Sequence, residues 1–406
     1  MTCLRLLAAG LAGLALSCQS LIGLPDRSHE DGSGGQGGSA AGGGAGGAGG
    51  KAAQCSAFCK RAVEICEGDY AIYHGPGDCE PACQLLTPEQ IKCRDDELTK
   101  ASSSREYWEH CQAATLGGSD ACGGNCKNYC SYVSQVCVAD NREMSEADLT
   151  PEECVDKCGK LVTREFQLGM PAETPRFNID KDHEGDSLQC RLVHLTIAAG
   201  PGAADSHCWH AALAPRPAVQ TMQTNPCATG LNETAPHCSD YCHIVDNACD
   251  DDKLRVYEND TQCMEVCSKL APGNVSEQTG DTVGCRKTHA YNALLVAADT
   301  HCPHAGPGGA GVCGSDCPAY CKLFRAGCAD VFATAFGMAN DANSKCETGC
   351  RALIGDDPLK YSVADAKASN GNPLSCRLLN AARALEKPEQ AAMFCPNAAG
   401  GGTCKR

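Results

Sequence analysis

His207-Cys208-Trp209-His210 and His301-Cys302-Pro303-His304 each place two imidazoles three residues apart around a cysteine. Imidazoles at that spacing share one helical face and suit copper, nickel or zinc. His207, His210, His301 and His304 are therefore the candidate transition-metal ligands. Each pair follows a Cys-Arg-x-x-His segment, Cys190 to His194 and Cys285 to His289. On a straight helix, however, His289 and His301 lie about 18 Å apart, so the earlier histidine is not expected to join the pair. One pair supplies two ligands where a tight site wants three or four. The favoured reading of all these histidines is structural, packing or capping a helix end beside a disulfide.

The segment Asp180-Lys181-Asp182-His183-Glu184-Gly185-Asp186 offers oxygens at alternating positions, with a glycine where a calcium loop turns. Asp180, Asp182, Glu184 and Asp186 are the candidate calcium ligands. The closing bidentate Glu is missing, with Arg191 in its place, and a solvated acidic loop is the preferred reading. Cys238-Ser239-Asp240-Tyr241-Cys242-His243 has the spacing of a rare haem-attachment variant, yet its cysteines belong to a wider repeated frame. No two cysteines are separated by two residues, which removes zinc ribbons, thioredoxin-type pairs and standard haem attachment. Nucleophile elbows, phosphate-cradling glycine loops and His-Glu-x-x-His zinc helices are absent too, so no catalytic residue is assigned.

The elements that must position these groups are set by cysteine. The chain has 406 residues with 34 Cys, 44 Gly and only 2 Trp, 10 Tyr and 7 Phe. So many cysteines beside so few large apolar side chains predict modules held by disulfides in an oxidising compartment. A formal net charge of -16 argues against nucleic acid and against polybasic attachment to lipid.

The expected organisation begins with a signal peptide over residues 1–17, where Arg5 precedes an apolar run too short to span a bilayer. Leu14-Ala15-Leu16-Ser17-Cys18 looks like a bacterial lipobox, which makes Cys18 the lipidation site. Residues 18–54 then form the lipidated N terminus and a Gly/Ala-rich linker, of which residues 31–50 hold 12 Gly and 4 Ala. Such a segment has nothing to bury and acts as a flexible tether. Cys3 leaves with the signal and Cys18 takes the lipid, which leaves 32 cysteines in four octets. The octets define modules over residues 55–122, 126–227, 238–313 and 317–404. Each begins Cys-x3-Cys-x6-Cys, continues after 12 to 17 residues with Cys-x3-Cys, and closes with a wider pair and a last Cys.

Cys55, Cys59 and Cys66 fall within about 40° of one another on a helical wheel, so the first segment of each module reads as a helix. Thr150-Pro151-Glu152-Glu153 carries a capping box for the second, and the Cys-Arg dipeptide opens an Ala/Leu-rich third. The fold class is therefore all-α, a tandem of small three-helix modules stapled by disulfides. In module one the bonds lie among Cys55, Cys59, Cys66, Cys79, Cys83, Cys93, Cys111 and Cys122. Eight cysteines allow 105 pairings. A helical hairpin with Cys66–Cys79 at the turn and Cys59–Cys83 next to it is the geometric preference. The arginine of each Cys-Arg dipeptide is expected in an intramodule salt bridge, and the connection between modules two and three is expected to bend.

The lipobox, the tether and the Cys-Arg-x-x-His and His-Cys-Pro-His-Ala-Gly-Pro segments together resemble uncharacterised Cys-rich surface lipoproteins of myxobacteria. Similar chains sometimes carry a tryptophan synthase alpha label, which this sequence rejects because it lacks the alternating strands and helices of a (β/α)8 barrel. The resulting expectation is a non-catalytic protein anchored by lipid at the outer membrane or cell surface, with a secreted or periplasmic location as the alternative. It would serve adhesion, scaffolding or capture of an envelope or extracellular protein or glycan. The alternatives are His-mediated copper or zinc binding and, third, a secreted hydrolase or inhibitor. No cofactor beyond a possible Cu, Zn or Ca ion is implied.

Overall fold

Cysteine spacing and helix propensity together produce a chain of short helices. The computed structural model describes residues 48–104, 107–137, 149–163, 166, 177–214, 225–229, 236–354, 359–368 and 373–404. Residues 1–17, expected to be a signal peptide, Cys18 and most of the expected linker lie outside the described residues. Module one comprises α1 (Ala48–Ile65), α2 (Pro76–Cys83), α3 (Pro88–Ala101) and α4 (Tyr107–Ala113). Module two comprises α5 (Asn125–Val136), α6 (Pro151–Cys158), α7 (Leu188–Ala198) and α8 (Ala204–Ala211). Module three repeats them as α9 (Cys238–Ala248), α10 (Asp260–Cys267), α11 (Val283–Leu295) and α12 (Ala298–Ala305). Module four has α13 (Asp316–Gly327), α14 (Ala329–Phe336), α15 (Ala342–Ile354), α16 (Val363–Lys367), α17 (Pro373–Glu386) and α18 (Ala391–Ala398). No strand occurs among the described residues, and no helix there is long and apolar enough to cross a membrane.

Residues 48–54, expected to end the linker, instead form the first turns of α1. Lys51-Ala52-Ala53-Gln54 favours helix, and Lys51 Nζ donates to the Gln84 carbonyl at 2.6 Å. The Thr150 capping box is present: Thr150 Oγ1 accepts from Glu153 N at 3.2 Å, and Glu153 accepts from Thr150 N at 2.9 Å.

All disulfides close within an octet, and all four octets use one pattern: first to fifth, second to fourth, third to seventh, sixth to eighth. In module one these are Cys55–Cys83, Cys59–Cys79, Cys66–Cys111 and Cys93–Cys122. The expected Cys66–Cys79 and Cys59–Cys83 pairings are corrected. Cys55 and Cys59 stand one turn apart on α1, as Cys79 and Cys83 do on α2, so antiparallel packing matches the two turns directly. Cys66 lies beyond that overlap and reaches α4.

The expected single third helix is likewise two helices in all four modules. In module two it breaks at Gly200-Pro201-Gly202, where Gly202 has φ +72° and proline cannot continue a helix. In module three it breaks at Val296-Ala297, where Ala297 is extended. The second half folds back and is pinned to the first helix of its module by the third-to-seventh bond, Cys137–Cys208 and Cys249–Cys302. A tyrosine of that first helix fastens the same place. Tyr129 Oη donates to Ala211 O at 2.6 Å, Tyr320 Oη to Ala398 O at 2.7 Å, and Tyr241 Oη to Ala305 O.

The Cys-Arg arginines hold the chain that leaves this fold-back. Arg94 Nε donates to Thr115 O and Nη2 to Leu116 O, both at 2.8 Å. Arg191 does the same to Ala212 O and Leu213 O, and Arg286 to Gly306 O and Pro307 O. All three guanidiniums are fully buried. Of the four expected salt bridges two are present, Arg191–Asp186 at 2.7 Å and Arg286–Asp281 at 2.9 Å, while Arg94 and Arg377 make none among the described residues; carbonyl capping is the arrangement Arg94, Arg191 and Arg286 share.

Gly46–Arg406 forms one compact unit, so the modules are repeats of a continuous body. Ile179 N of module two donates to Ala71 O of module one at 2.9 Å, and Val363 N of module four to Arg255 O of module three at 2.8 Å. Most of the connection between modules two and three, where a bend is expected, lies outside the described residues; beside it the two modules meet at a buried contact. Lys287 of module three places Nζ 2.6 Å from Asp186 of module two and 3.1 Å from the carbonyl of Ala228, which follows that module's last cysteine.

Candidate metal centres

The fold-back brings together what a straight helix would separate. Ser187 caps α7 by accepting from Cys190 N, which fixes the register of Arg191 and His194 on that helix. After the break, α8 returns His207 and His210 to the same place. His194 Nδ1 lies 2.7 Å from His207 Nδ1 and 3.2 Å from His210 Nδ1. Module three repeats the construction from α11, capped by Thr282, and α12. There His289 Nδ1 lies 2.9 Å from His301 Nδ1, and nitrogens of His289, His301 and His304 all fall within 4.8 Å of one another. The separation expected of His289 and His301 is thus overturned, and each pair becomes a triad.

A backbone carbonyl orients the central imidazole of each triad. His194 Nε2 is 3.1 Å from His183 O, and His289 Nε2 is 3.2 Å from Gln278 O. A carbonyl only accepts, so Nε2 carries the proton and Nδ1 presents its lone pair to the other rings. One lone pair can take one N–H well, whereas His194 faces two Nδ1 atoms. His210 Nε2 and His304 Nδ1 are buried and make no hydrogen bond among the described residues. A cation accepting three imidazole lone pairs resolves this crowding, and the carbonyl behind the central ligand is the usual outer support of a histidine metal site.

Burial pushes the imidazole of every triad member below its ordinary range, aided at His194 by His210 and His207 and at His304 by His289 and His301. His210 falls to about 3, from burial first and His207 second. All six are therefore neutral, ligand-ready bases at neutral pH. His194 and His289 are 6 % exposed, while the other four are half-buried, which leaves solvent access for a fourth ligand. Cys190 and Cys227 lie close to His194, and Cys285 and Cys313 to His289, but both cysteine pairs are disulfides and offer no thiolate.

Modules one and four show the same place filled differently. In module one Glu97 accepts from His110 Nδ1 at 2.7 Å and from Lys100 Nζ, and Ala113 stands at the third position. The ammonium of Lys100, from the same helix, meets the carboxylate there. In module four Asn380 Nδ2 donates to Cys376 O at 2.9 Å, Phe394 fills the second position, and Asn397 accepts from Thr403 N.

The candidate calcium residues are not brought together. Asp180 pairs with His74 at 3.3 Å, Asp182 accepts from Asn178 N at 2.6 Å, and Asp186 is held by Arg191, Lys287 and Tyr291. Glu184 joins no cluster of possible ligands among the described residues. At the haem-like segment, Cys238 and Cys242 are bonded to Cys267 and Cys263, and His243 packs against Phe166 with ring centroids 4.5 Å apart.

The sequence singled out the outer two histidines of each triad and set aside the central one. The signal for it was Gly200-Pro201-Gly202, which ends a helix midway between His194 and His207. Module three has no such signal, because Val296-Ala297 is not a recognisable breaker.

Residues 212–316 match the family model of the BfoA family C-terminal domain. This region resembles that domain. It covers about a quarter of the chain, running from the end of module two through module three, and it contains the second triad. No curated protein and no solved structure matches the chain.

Proposed function

We propose that this chain is a cell-envelope protein that binds transition-metal ions at two histidine centres, His194/His207/His210 and His289/His301/His304. The observation that carries the reading is the convergence of three neutral imidazoles around a carbonyl-oriented central ring, built twice by the same helix break. Three imidazoles suit copper(II) or zinc(II) and leave a position open to solvent. Two equal centres support capture or storage, not turnover at one asymmetric site. Adhesion or scaffolding, favoured by the repeat pattern alone, is the second reading, supported by the continuous body of the four modules.

The disulfides support an extracellular or envelope location, and lipid attachment at Cys18 is part of the proposal. A Cys18→Ala variant is expected to leave the membrane fraction, and unchanged association would remove the anchor. Titration calorimetry of mature protein with zinc(II) or copper(II) at pH 7.5 is expected to give two ions per chain. His207→Asn with His210→Asn should abolish one, and His301→Asn with His304→Asn the other. Weak binding that ignores these substitutions would overturn the metal reading in favour of adhesion.

A further inference from the structure

The loop that orients each triad also touches the next module. In module two His183 O holds His194, and three residues later Asp186 is fully buried between modules. Asp186 Oδ1 accepts from Arg191 Nη2 at 2.7 Å and from Tyr291 Oη at 2.8 Å, while Oδ2 lies 2.6 Å from Lys287 Nζ. Arg191 precedes His194 by one turn on α7. Lys287 and Tyr291 flank His289 at two residues on either side on α11. One carboxylate therefore clamps the two helices that carry the central ligands of both centres. Module three repeats the register: Gln278 O holds His289, and three residues later Asp281 pairs with Arg286 and, at 2.7 Å, with Lys322 of module four.

A bound ion fixes the central imidazole, its carbonyl and hence the loop. Buried charges with several partners have few alternative arrangements, so ordering one end of such a network restricts the other. We propose that the two centres are coupled through Asp186, so that occupancy of the module-two centre tightens the module-three centre at least fivefold, and the reverse by the same factor. This rests on the metal reading, and the test separates the two.

Zinc(II) affinity is measured by chelator competition on the full mature chain and on two variants. One is His207→Asn/His210→Asn, leaving only the module-three centre; the other is His301→Asn/His304→Asn, leaving only the module-two centre. Independent centres require the wild-type isotherm to equal the sum of the two single-centre isotherms. Coupling predicts a second equivalent at least fivefold tighter than that sum, and a factor that falls towards one in Asp186→Asn. Because Asp186→Asn disturbs a buried charge cluster, Tyr291→Phe serves as the gentler variant, with helicity and thermal midpoint as checks on folding; it too should reduce the factor. A wild-type isotherm equal to the sum overturns the coupling while leaving both centres intact. Coupling that survives both Asp186→Asn and Tyr291→Phe overturns the assigned route. No zinc(II) binding by any form overturns the metal reading and the coupling with it.

Discussion

Arg286 places three donors on three carbonyls, Gly306 O, Pro307 O and Thr282 O, from a fully buried position. Lysine has no planar fork to reproduce this, so Arg286→Lys should destabilise the protein by about 2–4 kcal/mol, read by chemical denaturation. The triad histidines make a different prediction. Their folded pKa values lie below those of the unfolded chain, so the stability they contribute is full above the ordinary imidazole range and is lost as pH falls below it, at His210 towards about 3. Metal-free protein should weaken as pH falls below about 6.5, and His194→Asn with His289→Asn should flatten that slope in pH-dependent melting. A steeper slope in the variant would contradict it. At this scale the sequence displayed residue types well and partners poorly. His207 and His210 declare themselves by spacing, whereas His194 joins them through tertiary return, which spacing does not encode.

Helix type was legible because Cys-x3-Cys, Thr150 and the Ala/Leu-rich runs all favour the same local conformation. Helix ends were less so. Val296-Ala297 breaks α11 from α12 although neither residue disfavours helix strongly, and what holds the return is Cys249–Cys302 with the Tyr241 hydroxyl. Removing that bond by Cys249→Ala with Cys302→Ala should free α12, abolish metal binding in module three and leave module two at one ion per chain. Retention of both ions would show that packing alone holds α12. Tyr241→Phe, which gives module three the residue type module one carries at Phe58, should cost about 1–2 kcal/mol for the uncapped Ala305 carbonyl.

Across the whole molecule, modules three and four are joined by Glu258, which receives Arg383 Nε and Nη2 at 2.7 Å each and Lys367 at 2.7 Å. The Arg383 hydrogen bonds first, and Lys367 with them, hold the Glu258 carboxyl down at about 2 against the opposing effect of burial. A lowered carboxylate contributes stability above its ordinary range, near 4.5, and loses it as pH falls towards about 2. Glu258→Gln should therefore cost about 2 kcal/mol at pH 7 and little at pH 2. Sequence could not reveal this joint, because Glu258 and Arg383 are far apart in the chain and neither lies in a repeated motif. The shared bonding pattern carries a last consequence for biogenesis. No native bond joins cysteines that are consecutive in the chain, so an oxidase linking thiols in the order they emerge from a translocon would make only wrong bonds. Each octet must then be reshuffled, and correct maturation should depend on a disulfide isomerase in the compartment that receives the chain.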